Sequence, residues 1–382
     1  MMETRGSTGG ILRSRRSPTL GHRPELDGIR GIAILLVMAY HTPGRIEPWT
    51  KFGWAGVDLF FVLSGFLITG ILLDTADNPD RARRFYVRRA LRILPLSYAA
   101  ILLVPIVFAL DPLLRDDAHR LAAHSWWLWT YTVNWPLGFL PEGAKDPLPF
   151  LDHFWSLAIE EQFYLLWPLV VWHTSRKTAI RVAVVVICGA FVCRVVFRLM
   201  HAPWSSSYFL TPSRLDPLGV GALVALWLRE PGPEDDLRSR VDRRMQWAGL
   251  SAVIVLAIVG MYERTLSGHD SKITLFGYSA VAWLFGWLVT RGALWPSRVL
   301  RSPVLVAAGK YSYGLYVIHP LVLDVFTPRL GRDSDLAGVA MWVISIPLAW
   351  LSYHGFEQWF LRLKDRLGDR GWRALPERSR QP

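Results

Sequence analysis

Trp54-Ala55-Gly56-Val57-Asp58-Leu59-Phe60-Phe61-Val62-Leu63-Ser64-Gly65-Phe66-Leu67-Ile68-Thr69-Gly70-Ile71-Leu72-Leu73-Asp74 is the stretch that decides the fold class. Between its first residue and its closing carboxylate it carries a single charge, Asp58. A helix rises about 1.5 Å per residue, so about 20 such residues cross the roughly 30 Å of hydrocarbon in a bilayer. Working outward, comparable runs recur at 26–43, 91–110, 154–173, 180–199, 215–229, 245–262, 273–290, 304–326 and 336–360. The expected architecture is an all-α, polytopic transmembrane helix bundle of about ten spans. It forms one domain over residues 26–361, with no fused soluble domain. Residues 1–25 are polar and rich in Gly, Ser, Pro and Arg, and read as a disordered cytoplasmic tail. Residues 362–382 read as a second cytoplasmic tail.

Composition points the same way. Of 382 residues, 52% are hydrophobic and 19% charged, with mean hydropathy +0.24. Soluble chains of this size normally carry more charge. The net charge is +12, and the basic residues gather between the apolar runs, at 81–92, 175–181, 229–244 and 291–301, and in both tails. Two spans separate each consecutive pair, so all clusters fall on one side of the membrane. By the positive-inside rule that side is the cytoplasm, which makes this a multi-pass protein of the cell membrane with both termini inside. The same distribution fits anionic headgroups and not nucleic acid. The run 124–140 breaks the parity if it crosses. Its four Trp, with Asn134, Pro136 and Gly138, make it interfacial or re-entrant. Neither a metal-ligand pair nor a nucleotide-binding loop stands out, so no metal is expected. Cys188 and Cys193 sit five residues apart in an apolar run and read as small buried hydrophobes.

Ionisable groups within spans are costly, and they usually face the bundle interior and serve function. At the outer level, His41 lies near the end of the first span and Asp58 opens the returning one. Arg30 and His41, eleven residues apart, share a helix face about 16 Å apart along the axis. His153, Ser156, Glu160 and Tyr164 form one stripe, with Glu161 beside it. Arg214 and Asp216 open another inward helix, and His319 lies two-thirds of the way out along its span. At the inner level, Arg88, Arg89 and Arg92 begin the third span, and Tyr311 and Ser312 follow Lys310. Acyl transfer to an alcohol needs a base, a donor for the oxyanion and a seat for the activated acyl carrier. Imidazole suits the first task, and arginine clusters suit the phosphates of coenzyme A. Each group also has a plainer reading. A histidine in a span can be an interhelical hydrogen bond, the arginines can be positive-inside anchors, and Arg214 with Asp216 can be a buried pair. Glu160 and Glu161 are too costly at that depth to be anchors. A transporter or flippase with a buried charge relay would use the same groups.

The segment Leu26-Asp27-Gly28-Ile29-Arg30-Gly31-Ile32-Ala33, followed by His41, resembles the opening of the acyltransferase-3 family of membrane O-acyltransferases. The same resemblance runs through Gly56 to Ile68, Arg88-Arg89-Ala90-Leu91-Arg92-Ile93-Leu94-Pro95, His153 to Tyr164, and Tyr311-Ser312-Tyr313-Gly314-Leu315-Tyr316-Val317-Ile318-His319. The blocks come in family order and span nearly the whole chain. The resemblance implies that His41 is the essential histidine and that Arg30, Arg89 and Arg92 are required. It also implies acylation of a bacterial polysaccharide, glycolipid, peptidoglycan or macrolide. The expected mechanism follows. Arg88, Arg89 and Arg92, with Tyr311 and Ser312, hold acyl-coenzyme A as a co-substrate, with no bound cofactor. His41, oriented by Asp58 or Glu160, takes the acceptor's hydroxyl proton, while Arg30 or Tyr164 steadies the developing charge. His153, Ser156, Glu161, Arg214, Asp216 and His319 support the site or the acceptor.

Overall fold

The computed structural model describes residues 23–369, apart from 46–49, 142, 231, 265, 269–271 and 332. Every element among the described residues is helical. In chain order they are α1 (Pro24–Tyr40), α2 (Ala55–Asp74), α3 (Arg81–Phe108), α4 (Arg115–His124), α5 (Trp126–Trp129), α6 (Asn134–Gly138), α7 (Trp155–His173), α8 (Arg176–Leu199), α9 (Trp204–Phe209), α10 (Thr211–Arg214), α11 (Asp216–Trp227), α12 (Glu234–Glu263), α13 (Tyr278–Leu294), α14 (Pro303–Leu330), α15 (Asp335–Ser352) and α16 (Gln358–Asp369).

Six helical stretches are long and apolar enough to cross a membrane, namely Lys51–Asp74, Arg81–Phe108, Arg176–Leu199, Glu234–Glu263, Ile273–Leu294 and Asp335–Lys364. The chain is thus a multi-pass membrane protein, but six stretches and not ten meet both criteria. The other four expected spans coincide with α1, α7, α11 and α14, and the reasons differ. The α11 helix has 12 residues, about 18 Å of rise, and cannot cross alone. It is buried along nearly its whole length. The α1 helix has 17 residues. The α7 and α14 helices are long enough, but the polar groups they carry, Glu160, Glu161 and Gln162 on one and Lys310 and His319 on the other, dilute the apolar run. The tryptophan-rich run 124–140 contains only helices of four and five residues, too short to cross.

Other sequence expectations need correcting. Glu25 is not tail. It lies inside α1, fully buried, with Arg301 Nε 2.5 Å from its Oε1. At the other end α16 continues to Asp369, past the expected domain edge. The remaining tail residues, 1–22 and 370–382, lie outside the described residues. Cys188 is exposed on the outer surface of α8 instead of buried.

The bundle has a centre and a shell. The most apolar stretch of Lys51–Asp74 is 72% buried, that of Arg176–Leu199 only 17%. The peripheral helices turn Leu102, Ile106, Val185, Val192, Ile258 and Val343 outward, as contact with lipid demands. In the centre α2 packs on α11, and α1 lies along α14. Small residues allow the second contact. A Cβ on Gly31 would stand 2.1 Å from the Leu305 carbonyl oxygen, and one on Gly309 would stand 1.9 Å from that of Asp27. Backbones this close exchange dispersion contacts that larger residues would block. Within α14, Pro320 has no N–H to offer the Tyr316 carbonyl four residues back.

Gly309→Val should separate α1 from α14. Overpacking typically costs about 1–3 kcal/mol, and here the obstacle is backbone. The thermal unfolding midpoint in detergent is expected to fall clearly. An unchanged midpoint would mean the helices part without cost.

Candidate functional site

The polar residues line two chambers. The first, of about 680 Å³, is walled by α1, α2, α3, α7 and α14. Arg30, Arg88, Arg89 and Arg92 all reach it, together with Glu160 and Tyr164. Arg88 and Arg92, one turn apart on α3, share the inward face. The Arg89 guanidinium lies 4.2 Å over the Tyr164 ring, and its Nε is buried without a hydrogen-bond partner. Arg30 pairs with Asp27 at 3.0 Å. Ser64 donates to Glu160 Oε1 at 2.6 Å. Ser312 and Ser156 also line this chamber. The three arginines converge on one volume, with one donor nitrogen, Arg89 Nε, unused.

The second chamber, of about 430 Å³, holds His41, His153 and His319. His41 Nδ1 lies 2.8 Å from the Val37 carbonyl and 3.4 Å from His319 Nε2. A carbonyl only accepts, so Nδ1 carries the proton and His41 Nε2 keeps its lone pair. His319 Nδ1 donates to the Leu315 carbonyl at 2.7 Å, which leaves its Nε2 as an acceptor. His153 is 6% exposed, and neither of its ring nitrogens has a hydrogen-bond partner.

Among the described residues, only Val57 and Tyr316 line both chambers. Tyr316 donates to the His153 carbonyl at 2.5 Å and accepts from Ser156 Oγ at 2.6 Å. Trp155 and Ser156, neighbours at the start of α7, face opposite chambers. Tyr316 is thus a hydrogen-bonded wall between the arginines and the histidines.

Several expected partnerships do not form. Asp58 does not orient His41. It is fully buried against Arg214, whose Nη2 lies 3.0 Å from Asp58 Oδ1, and Arg214 is also enclosed by the rings of Tyr278, Tyr208 and Trp155. Glu160 does not orient His41 either, since it sits in the arginine chamber with Ser64. Arg30 and Tyr164 lie there too, away from the imidazoles. Asp216 pairs not with Arg214 but with Arg194, at 2.9 Å, and accepts from Ser279 Oγ at 2.8 Å. Tyr311 turns from the arginine chamber to His354 Nε2, 3.2 Å away. Glu161 lines neither chamber, and its Oε1 is buried without a partner. Among the described residues, no group of three or more His, Cys, Asp or Glu could hold a metal ion.

Residues that the sequence reading passed over are prominent here. Tyr316 stands one helical turn before His319 and one after Ser312, a spacing that marks a single face. Arg194 is the single charge between Arg181 and Arg198, deep in an apolar run, and that cost was its signal. Asp146, Asp152 and Asp324 line the histidine chamber, Asp146 from a loop and Asp152 from the 3-10 turn Asp152–Phe154 just before α7. Burial and the neighbouring Asp152 push the Asp146 carboxyl up to about 6. Burial also pushes Asp152 up, but His153 beside it outweighs burial and holds it below the usual carboxylate range.

The model of an acyltransferase-domain family matches residues 23–354. A Bacillus subtilis (strain 168) protein, provisionally named a peptidoglycan O-acetyltransferase, is 32% identical over 360 residues, covering 89% of this chain and 55% of its own. The peptidoglycan O-acetyltransferase of Listeria monocytogenes serovar 1/2a is 31% identical over 334 residues, 80% of this chain and 50% of its own. A provisionally named O-acetyltransferase of Staphylococcus aureus (strain MRSA252) is 29% identical over 388 residues, 92% and 59%. The chain spans about half the length of the curated relatives it matches. No solved structure matches it.

Two outcomes follow from the buried carboxylates. Asp58→Leu strands Arg214 in the core and should cost about 3–5 kcal/mol, while Asp58→Leu combined with Arg214→Met should recover most of it. Equal loss in single and double variants, by thermal unfolding, would contradict the pair's structural role. Asp146 has a raised pKa, so its contribution to stability is present below about pH 4. That contribution is lost as pH rises through about 6. Asp146→Asn keeps an oxygen for the Leu148 N–H that Asp146 Oδ1 accepts at 2.8 Å. It should raise the unfolding midpoint at pH 8 and leave it unchanged at pH 4. The reverse order would show that the ionised form is the favoured one.

Proposed function

This chain belongs to the acyltransferase family whose domain it matches, and on that premise we propose that it is an O-acyltransferase. It moves an acetyl or short acyl group from acyl-coenzyme A to a hydroxyl of a sugar-containing acceptor of the cell envelope. Peptidoglycan, which the relatives' names carry, is the first acceptor to try. The observation that carries this reading is the pair of chambers, one basic and one built on imidazoles, divided by a single tyrosine wall.

In this scheme Arg88, Arg89 and Arg92 bind the nucleotide phosphates of the donor from the cytoplasmic side, as guanidinium forks match phosphate oxygens. The nucleotide stays there because desolvating its charges further inside would be costly. The pantetheine arm is thin and can carry the thioester past Tyr316 toward His41. His41 Nε2, with its lone pair exposed by the Val37 contact, takes the acceptor's hydroxyl proton. The acceptor oxygen forms a bond to the thioester carbonyl carbon, and the carbon–sulfur bond breaks. The leaving thiolate takes the proton back from the imidazolium, releasing coenzyme A and the O-acyl product. His153 offers its ring nitrogens to an incoming oxygen. Asp58, Asp216 and Arg214 act as the frame and take no part in the chemistry.

The test uses purified protein with acetyl-coenzyme A and a peptidoglycan fragment. His41→Ala should lower transfer by at least about 100-fold, the low end of general-base catalysis. Arg89→Ala should raise the KM for acetyl-coenzyme A about tenfold while sparing that for the acceptor. Near-normal turnover in folded His41→Ala protein would remove the assignment. Unchanged donor KM in Arg89→Ala would return the arginines to membrane anchoring.

A further inference from the structure

The two chambers differ in charge as well as in shape. The arginine chamber is lined by six arginines and Lys364 against Asp74, Asp77 and Glu160. The histidine chamber is lined by Asp117, Asp146, Asp152 and Asp324, with no lysine or arginine in its wall among the described residues. Asp117 contacts Arg120, and Asp152 Oδ1 stands 3.9 Å from His153 Nδ1, while Asp146 and Asp324 have no ion pair among the described residues. Asp146 and Asp152 each engage a backbone N–H, of Leu148 and His153, at 2.8 Å. Asp324, on α14 beyond His319, has no hydrogen bond or ion pair among the described residues. Carboxylates gathered in a partly enclosed space repel one another, and an opposite charge relieves that cost. The second sign of an unfinished site is His153, 94% shielded and lining the same space, with neither ring nitrogen hydrogen-bonded and only a 3.9 Å contact to Asp152. Aromatic rings of Trp54, Trp155 and Phe209 supply flat walls for a sugar face or a cation. A volume of about 430 Å³ lies within the range of small-molecule sites.

We propose that the acceptor in this chamber is a hydroxyl-bearing amino sugar whose protonated amine is held by Asp152 and Asp324. This rests on reading the histidine chamber as the acceptor's. The ammonium donates to the carboxylates, His153 takes a neighbouring hydroxyl, and the reactive hydroxyl faces His41. The same charge disfavours an anionic group at the bound ring, so within a peptidoglycan fragment the ring this chamber takes is one carrying a free amine. The charge also keeps the coenzyme A phosphates on the far side of Tyr316, so each chamber rejects the other's substrate.

Binding without donor tests the charge rule separately from catalysis. Chitobiose and N,N′-diacetylchitobiose share a ring skeleton and differ in carrying free amines or neutral acetamides. With detergent-purified full-length protein at pH 6, chitobiose is expected to bind at least about tenfold more tightly, the size of one charge-assisted hydrogen bond. The preference should fall to within about twofold in Asp152→Asn and Asp324→Asn. Raising salt on the wild-type protein should erode it as well, which covers the case of a variant that fails to fold. Equal binding, preference for the diacetyl sugar, no binding of either, or a preference that survives both substitutions and high salt each overturns the proposal. Adding acetyl-coenzyme A then separates the two claims. Amine-selective binding without acylation leaves the charge rule standing and removes the transfer reading. Acylation of the diacetyl sugar in preference to chitobiose removes the charge rule alone.

Discussion

Hydrocarbon gives two helices no hydrophobic reason to associate, so the contact between α1 and α14 has to come from closeness itself. Gly31 and Gly309 provide it, by letting each helix approach the other's carbonyl oxygens. Much else depends on that approach. The α1 helix carries Arg30 to one chamber and leads to His41 in the other, and α14 likewise carries Ser312 to one and His319 to the other, with Tyr316 between. A fixed register between these two helices sets the His41–His319 distance and the position of the wall together. A shift of one helix along the other would misalign both chambers at once.

Buried ion pairs hold the rest of the frame. Arg214–Asp58 ties α10 to α2, and Arg194–Asp216 ties α8 to α11. Neither pair is exposed, and both are supplemented, by aromatic faces around Arg214 and by Ser279 at Asp216. Breaking a buried pair is costly because it leaves one charge alone. Their cost makes these groups look functional in a sequence, while in the structure each is taken up by an ion pair between helices. Of the buried polar groups without a hydrogen-bond partner among the described residues, Arg89 Nε and the His153 ring are the ones on chamber walls.

The contrast explains what could be read in advance. Long apolar runs announce themselves, so helices appear at all ten expected places. The length of α11 does not, because a buried 12-residue helix and a spanning one have the same apolar composition. His41 and the α3 arginines were legible because each is expensive where it stands. Their partners were not: Asp58 and Glu160 lie near His41 in depth, and depth says nothing about which way a helix turns. Tyr311 illustrates this, as one residue from Ser312 it faces His354 instead. Asp146 comes from a loop and Asp152 from a single 3-10 turn, too short for any period to relate spacing to direction. Tyr316 carries no charge, and a lone tyrosine in an apolar run costs little, so nothing in the sequence singled it out.

The missing N–H at Pro320 bears on this wall. A helix is stiff because each turn is tied to the next, and α14 lacks the tie that would run from Pro320 back to the Tyr316 carbonyl. Bending is cheapest where such a tie is absent. The residue that divides the chambers therefore stands where its own helix is least tied. A modest flexure there swings the outer segment with His319 against the inner segment with Ser312, and widens or narrows the aperture without disturbing the glycine contact one and a half turns or more below.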